Sequence, residues 1–288
     1  MTNLPLDPSV ALRRDATGFA TFYNLICAAR GYSLPPHLMP PLMALADLRI
    51  QNLMLIVGPG SGKSLLLSQM YPAWTLGHDP TQTLIAISAG ELLVQGFMKG
   101  VMDTVEFSEV YHALFPRVRP DKQAGWSSER GMFVTGREMG NPDSNYATAG
   151  LGSKALTGKH ARIIICDDIH DAENSSTSEQ CEKVRDLWYS TIIGRADPRG
   201  CRFIVAGRRW GMEDIYAHLM ESGDFVVLEL PAEREGTHHL YYDITYPDDL
   251  ECCFSEMLHR QEYEKVDKKY RKVVASPARK LLLEHAKT

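Results

Sequence analysis

A glycine-rich segment that ends in Lys63-Ser64 carries the clearest chemistry in this chain. It follows the apolar run 53–57, Leu-Met-Leu-Ile-Val, which is typical of a buried strand. Glycines allow the N–H groups of such a loop to turn toward an anion, and the dipole of the following helix adds positive potential. Lys63 then reaches the β- and γ-phosphates of a nucleotide, and the Ser64 hydroxyl binds Mg²⁺. The segment predicts a site for ATP and Mg²⁺, with nucleotide contacts from Gly58, Pro59, Gly60, Ser61, Gly62, Lys63, Ser64 and Leu65.

One position departs from the usual phosphate-loop pattern, which has a further glycine five residues before Gly62. In this chain that position is Val57. A glycine-rich turn between a strand and a helix, with no ligand, is the alternative interpretation. A second motif elsewhere in the chain favours the nucleotide site over this alternative.

The second motif is a β-branched run that ends in two carboxylates. Residues 161–168 are Ala-Arg-Ile-Ile-Ile-Cys-Asp-Asp, and such an uninterrupted run is typical of a central parallel strand covered on both faces. Ligands of parallel α/β sheets bind at the carboxyl ends of the strands. Asp167 is therefore the candidate that binds Mg²⁺ together with Ser64, and Asp168 the candidate that orients the attacking water. A helix cap or a turn is the alternative role for an Asp-Asp pair.

A third buried run, 202–206, continues into Gly207 and a pair of arginines. A strand that ends beside the γ-phosphate can respond to the presence of that phosphate. Arg208 or Arg209 would then transmit the change to other parts of the protein. The alternative is an ordinary strand followed by a solvated basic turn.

The spacing of apolar residues predicts strands alternating with helices, and hence an α/β fold with a mainly parallel sheet flanked by helices. A stretch rich in Gly, Asn, Asp and Ser, 120–156, predicts a β-hairpin. The predicted domains are a helical N-terminal lid subdomain (1–50), an ATPase core (51–232) and a linker with a C-terminal tail (233–288). Strands are expected near 52–57, 83–88, 162–166, 202–206 and 225–230, and helices over 8–30, 36–48, 63–73, 90–103, 108–114, 179–192 and 213–221.

Composition narrows the classes of function. The chain has 288 residues, of which 44% are hydrophobic, and this suffices for one large α/β core. No apolar run approaches the roughly 18 residues of a membrane span, and the N-terminus lacks the pattern of a signal peptide, so we expect no membrane association. The six cysteines lack paired metal-binding spacing, which predicts reduced thiols rather than a zinc site.

Charge is unevenly distributed along the chain, whose net charge is −5. An acidic stretch, 243–264, precedes a basic stretch, 265–288. The basic stretch is a candidate contact for DNA or for the acidic face of a neighbouring subunit, because lysine and arginine dominate non-specific DNA binding. A solvated helix end is an equal alternative.

The order of these motifs resembles the ATPase domain of the large terminase subunit of tailed bacteriophages, over roughly residues 15 to 232. The most specific block is 150–214. The segments that carry the resemblance are Pro-Pro-His-Leu-Met-Pro-Pro-Leu (35–42), Tyr-His-Ala-Leu-Phe-Pro-Arg-Val-Arg (111–119), Gly-Leu-Gly-Ser-Lys-Ala-Leu-Thr-Gly-Lys-His-Ala-Arg-Ile-Ile-Ile-Cys-Asp-Asp (150–168), Glu-Lys-Val-Arg-Asp-Leu-Trp-Tyr-Ser-Thr-Ile-Ile-Gly-Arg (182–195) and Gly-Arg-Arg-Trp-Gly-Met-Glu-Asp (207–214).

The resemblance implies a P-loop NTPase of the additional-strand type that uses ATP to translocate viral double-stranded DNA into a procapsid. By position, Lys63 and Ser64 match the Walker A residues, Asp167 the Walker B carboxylate and Asp168 the catalytic acid, where many related ATPases have glutamate. Residues 207–210 match the coupling motif, which makes Arg208 a candidate catalytic residue. The implied partners are other copies of the chain in a ring, the portal protein, the small terminase subunit and a separate nuclease chain. The implied location is the host cytoplasm, transiently on the procapsid and outside the mature virion.

Ring ATPases of this family receive a basic residue from a neighbouring subunit. Lys159 matches one position where relatives carry it, and Arg162 and Arg195 are the alternatives. His37 and Leu38 are the candidate contacts of the adenine ring. The family's nuclease domain has no counterpart in the residues after 231, so we expect no nuclease activity from this chain alone. Either the sequence covers only the ATPase domain of a longer subunit, or the nuclease is a separate chain.

Two other functions remain compatible with the motifs. One is a helicase or another nucleic-acid-dependent ATPase, which separates strands rather than moving intact duplex DNA. The other is a nucleotide-gated ring-assembly protein with slow hydrolysis. Measured ATP turnover separates the last of these from the two motors.

Overall fold

The computed structural model describes residues 7–230 and 242–255, together with the backbone of 263–265 and 271–273. The chain divides into two compact units. The first unit comprises Met1–Lys63 and Leu219–Thr288, and the second comprises Ser64–His218. Most of the predicted tail 233–288, including most of the basic stretch, lies outside the described residues. The predicted domain boundaries at 50 and 232 stay predictions.

Helices and strands alternate along the described chain. The α-helices are α1 (Pro8–Ala11), α2 (Ala16–Ala28), α3 (Met39–Ala46), α4 (Tyr71–His78), α5 (Glu91–Phe107), α6 (Glu109–Leu114), α7 (Ser178–Leu187) and α8 (Ile215–Ser222). Shorter turns are 3₁₀ at Pro36–Leu38, Lys154–Leu156 and Ile193–Arg195, and π-helical at Leu65–Met70 and Trp188–Ile192. The strands are β1 (Asn52–Ile56), β2 (Leu84–Ser88), β3 (Trp126–Ser127), β4 (Gly131–Met132), β5 (Tyr146–Gly150), β6 (Ile163–Asp167), β7 (Arg202–Gly207), β8 (Val226–Glu229), β9 (Asp243–Thr245), β10 (Tyr263–Lys265) and β11 (Arg271–Val273).

The first unit contains α1 to α3 and a small mixed sheet. Strands β1 and β8 are parallel, with Leu53 opposite Val226, and β9 pairs antiparallel with β8. Strand β11 pairs antiparallel with both β9 and β10. The predicted strands near 52–57 and 225–230 are confirmed.

The second unit has a parallel centre, in which β2 lies between β5 and β6 and β7 pairs with the other edge of β6. Every residue of β2, β5 and β6 is buried, as expected for parallel strands covered on both faces. Helix α5 contacts β2 and β5, and the π-helical turn Leu65–Met70 contacts β6. The predicted mixed α/β fold with parallel strands and flanking helices is therefore confirmed.

Two local predictions are correct only in part. The predicted helix over 8–30 is two helices, because the Asp15 carboxylate accepts a 2.9 Å hydrogen bond from the Gly18 N–H and begins α2. The predicted hairpin over 120–156 accounts only for β3 and β4, which are antiparallel. The same stretch also contains β5, a parallel core strand that the sequence interpretation missed.

None of the helices in the described residues combines the length and the apolar character needed to cross a membrane.

Candidate functional site

The glycine-rich loop of the first unit has the backbone conformation that its glycines permit. Strand β1 ends at Ile56 and helical structure begins at Lys63. Gly60 and Gly62 have φ angles of 75° and 83°, in the left-handed region where a side chain is strained. Lys63 at the end of the loop is only 5% exposed. Two positions of the loop thus have a backbone conformation that glycine adopts without strain.

The two residues predicted to contact adenine lie against this loop. The Nε2–H of His37 donates to the Ser61 carbonyl oxygen at 2.7 Å, so this ring nitrogen carries the proton. Leu38 is fully buried, and a Cβ added at Gly62 would lie 3.5 Å from its Cδ1. His37 therefore holds the loop backbone, and the adenine contact stays a prediction.

In the second unit, the helix that continues from the loop is bonded to the first of the two predicted carboxylates. Asp167, the last residue of β6, is completely buried. The Ser68 hydroxyl donates to Asp167 Oδ2 at 3.0 Å. Ser68 lies one turn after Ser64, so the two predicted magnesium ligands belong to elements in direct contact. Carboxylate and hydroxyl oxygens are the donors that Mg²⁺ takes in nucleotide sites, and this part of the donor set fits the ion.

The Tyr146 hydroxyl bonds to a carbonyl of the same helix that a proline leaves without its α-helical donor. Pro72 has no N–H to donate to the carbonyl four residues earlier, which is that of Ser68. The Tyr146 hydroxyl donates to this carbonyl at 2.7 Å. Burial raises the pKa of Tyr146 well above its usual value, and the Asp167 charge adds to that effect, so the hydroxyl remains a donor. One serine thus contacts β5 through its carbonyl and β6 through its hydroxyl.

Asp168 has a backbone conformation found at no other non-glycine residue of the described chain. Its φ is 50°, which aspartate tolerates better than most residues. The Asp168 N–H donates to the Ala206 carbonyl at 2.8 Å, and the Asp168 carbonyl accepts from the Ala89 N–H at 3.0 Å. Main-chain bonds to residues next to β2 and in β7 therefore fix the Asp168 backbone at the carboxyl ends of the parallel strands.

The two arginines that follow β7, Arg208 and Arg209, make different contacts. Arg208 is exposed, and its guanidinium lies 3.8 Å from the centre of the Trp210 ring. The Nε–H of Arg209 donates to both oxygens of Asp214 at 3.1 Å, and Asp214 is completely buried. Both arginines are exposed, but Arg209 is bonded to Asp214 within its own loop, whereas Arg208 lies over the Trp210 ring.

The three candidates for the residue given to a neighbouring subunit differ in their surroundings. Lys159 is half-buried, and burial lowers its pKa while the Asp143 charge opposes that shift. Arg162 lies between two carboxylates, 3.7 Å from Glu138 and 3.8 Å from Asp197. Arg195 donates through Nη1 to the Leu156 carbonyl at 3.0 Å. The two arginines already have partners within their own unit.

Sequence reasoning missed several polar residues that hold this region together. Ser68, Tyr146 and His170 bond to residues far away in sequence. Asn174 and Asp214 bond to residues three to five positions away. Only Asp214 had a local signal, because an aspartate just before an apolar helical segment is typical of an N-cap.

Comparison with protein-family models gives no match to this chain, and comparison with curated proteins gives none either.

Proposed function

We propose that the chain is a P-loop ATPase, in which residues 57–64 bind the phosphates of ATP and Asp167 binds the accompanying Mg²⁺. The observation that carries the proposal is the 3.0 Å bond from Ser68 to Asp167. It joins the helix that follows the glycine-rich loop to the carboxyl end of β6. Within the second unit, the helical segment from Ser64 onward thus contacts the strand end that carries Asp167, and Mg²⁺-dependent phosphoryl transfer uses a hydroxyl and a carboxylate of this kind.

Each residue of the proposed site has a distinct task. Lys63 neutralises charge on the β- and γ-phosphates, and the N–H groups around Gly60 and Gly62 bind phosphate oxygens. Asp168 orients the water that attacks the γ-phosphate, a task for a carboxylate fixed by main-chain bonds. Bound Mg²⁺ supplies charge neutralisation between the β- and γ-oxygens, and Ser64 and Asp167 are the residues that hold it.

Within this class, the order of the motifs in 150–214 favours a motor that packages viral DNA. We propose that copies of the chain form a ring on a portal protein and translocate double-stranded DNA, with a small terminase subunit and a separate nuclease chain as further partners. The motor acts in the host cytoplasm while docked on the procapsid, and is absent from the mature virion. The support is the sequence resemblance, together with an accessible Arg208 in the matching coupling segment.

Steady-state ATP hydrolysis with and without linear duplex DNA tests the proposal. We expect Mg²⁺-dependent turnover that DNA stimulates, and a loss of about 10²-fold or more in Lys63→Ala, because one preorganised charge at the phosphates is removed. Lys183→Ala is the matched control, since Lys183 is 68% exposed on α7 and pairs only with Glu179 in the described contacts.

The outcomes separate the candidate functions. Turnover that survives Lys63→Ala would reject the phosphate loop as the site. Tight Mg-ATP binding without turnover would favour a nucleotide-gated assembly protein. Strand separation of the duplex would favour a helicase over a packaging motor.

A further inference from the structure

His170 is a buried histidine with both ring nitrogens bonded, and neither predicted motif includes it. It is 2% exposed and follows Asp168 by two residues. Its Nδ1–H donates to Asn174 Oδ1 at 2.9 Å, and its Nε2 accepts from the Ile215 N–H at 3.0 Å. Because a backbone N–H can only donate, Nε2 must be unprotonated, and the ring is the neutral Nδ1–H tautomer.

On its Nδ1 side, the His170 ring is bonded to the loop that follows β6. Asn174 donates through Nδ2 to the Ile169 carbonyl at 3.0 Å and accepts from the Asp171 N–H at 3.0 Å. The Ile169 side chain, between Asp168 and His170, is fully buried. The ring is therefore fixed relative to Asp168 by a short, closed segment of chain.

The partner on the other side is the beginning of α8. Ile215 is the first residue of that helix, and its N–H is one of those that have no acceptor inside the helix. Asp214 caps the same turn by accepting from the Ala217 N–H at 2.7 Å, and it also accepts from the Trp210 N–H at 2.7 Å. The loop that carries Arg208 is thus bonded to the helix end that His170 holds.

A second connection runs through the Ala206 carbonyl. It accepts from the Asp168 N–H at 2.8 Å and from the Tyr216 hydroxyl at 3.4 Å. The Tyr216 ring also lies edge-on to His170, with 5.7 Å between the ring centres. A Cβ at Gly207 would be 2.1 Å from the Tyr216 hydroxyl oxygen, so the glycine permits this approach. Asp168 and the start of α8 are therefore connected by two routes, one through His170 and one through the Ala206 carbonyl.

We propose that His170 is a positioning residue of the proposed ATPase, which holds Asp168 in register with the start of α8 and with the 208–214 loop. The inference rests on the proposed function, since Asp168 has a catalytic task only in an ATPase. Loss of the γ-phosphate would shift Asp168, and this shift would move the His170 ring. Because the ring is bonded to Ile215, its movement would displace the start of α8 and the loop that is bonded to Asp214. Arg208 is one of the exposed residues of that loop.

The test compares His170→Leu with His170→Gln. Leucine keeps the apolar volume but removes both polar atoms, whereas the Gln amide oxygen extends to the place of Nε2 and still accepts from Ile215. We expect His170→Leu to lower kcat about 10- to 100-fold, because a small displacement of a reacting group has that effect. We expect the Kd for Mg-ATP to change less than about twofold, because the lost interaction acts on the chemical step. His170→Gln should restore most of kcat.

His112→Leu is the matched control, because His112 Nε2 also bonds a backbone group, the Val105 carbonyl at 2.9 Å, but lies on α6. It should leave kcat unchanged. A parallel loss of kcat and of Mg-ATP affinity in His170→Leu, or no rescue by His170→Gln, would overturn the inference and show a general structural role.

The same experiment separates this inference from the proposed function. If the unaltered chain hydrolyses ATP and His170→Leu does so equally well, only the role of His170 is wrong. If the unaltered chain binds no Mg-ATP, the proposed function is wrong and the inference falls with it. If His170→Leu does not fold, Asn174→Ala decides, because it removes the acceptor of the Nδ1–H; an unchanged kcat in that variant would overturn the inference.

Discussion

The left-handed backbone of Asp168 allows its side-chain chemistry to be tested apart from its conformation. Asparagine adopts a φ near 50° about as readily as aspartate and has nearly the same shape. We expect Asp168→Asn to lower the ATP turnover number by about 10²- to 10⁴-fold, because an amide cannot accept a proton from the attacking water. The free energy of unfolding should change by less than about 0.5 kcal/mol, as for substitutions that leave packing intact.

Chemical denaturation and steady-state kinetics on the same preparation measure both quantities. Asp168→Val serves as the strained comparison, because a β-branched residue at positive φ costs about 1–3 kcal/mol of stability. Full turnover in Asp168→Asn would show that another group orients the water.

His170 should make the stability of the folded protein depend on pH. Burial lowers its pKa, and the Asn174 hydrogen bond and the Asp214 and Asp171 charges oppose the shift without reversing it. Below its ordinary pKa of about 6.5, the unfolded chain binds a proton that the folded chain resists. The free energy of unfolding therefore falls as pH decreases through this range, and the contribution of His170 is fully present only above it.

Urea denaturation at pH 7.5 and at about pH 5, in wild type and His170→Gln, measures this contribution. We expect the loss of stability on acidification to be smaller in His170→Gln, since glutamine does not titrate. Groups remote from His170 titrate alike in the two proteins, so equal losses would show that His170 does not resist protonation.

At the scale of the elements, the helix after the glycine-rich loop depends on a strand that follows it by about 70 residues in sequence. Pro72 removes one helical donor, and Tyr146 of β5 supplies a replacement to the Ser68 carbonyl. Tyr146→Phe should destabilise the folded state by about 1–2 kcal/mol, because a buried carbonyl loses a hydrogen bond. The same substitution should cost less in a Pro72→Ala background, where the new N–H of residue 72 becomes available to Ser68.

A double-mutant cycle by chemical denaturation measures the difference between the two backgrounds. An equal cost of Tyr146→Phe in both would mean that the hydroxyl does not substitute for the missing helical donor.

The long apolar elements were predictable from the sequence, and the reasons are local. Strand β6 is an uninterrupted β-branched run, and α5 has a clear helical period. Strand β5, Tyr-Ala-Thr-Ala-Gly, was missed because its two alanines and its glycine weaken the strand pattern, and its burial depends on pairing with β2 and on packing against α5. The break between α1 and α2 depends on one capping aspartate, Asp15.

In the candidate site, too, the local motifs were predictable from the sequence and the long-range contacts were not. The loop 57–64 and the Asp167-Asp168 pair are contiguous motifs whose chemistry follows from residue types in order. Ser68 and His170 act through bonds to residues 99 and 45 positions away. No local sequence pattern encodes these side-chain hydrogen bonds, because they form only when the strands of the sheet are arranged next to one another.

For the whole molecule, the proposed motor requires that one subunit complete the site of another. The ring itself is a proposal, and its trans-acting residue is testable by mixing variants. Lys159→Ala leaves the phosphate loop intact but removes the proposed donor, whereas Lys63→Ala inactivates its own loop and retains Lys159. Each variant alone should hydrolyse ATP at least about tenfold more slowly than wild type, since arginine-finger-type charges contribute 10³- to 10⁵-fold in related phosphoryl transfer.

A mixture of the two variants should regain part of the DNA-stimulated turnover, because Lys63→Ala subunits can give Lys159 to the intact loops of Lys159→Ala neighbours. ATP hydrolysis measured across mixing ratios, at constant total protein, should pass through a maximum near equal amounts. Arg162→Ala and Arg195→Ala mixed with Lys63→Ala test the alternatives in the same way. Arg162 already contacts Glu138 and Asp197, and Arg195 already bonds to the Leu156 carbonyl. We therefore expect each of these variants to lose stability, and its mixture with Lys63→Ala to regain no ATP turnover. If the mixture of Lys159→Ala and Lys63→Ala hydrolyses ATP no faster than the sum of the two variants measured alone, Lys159 does not act in the site of a neighbouring subunit.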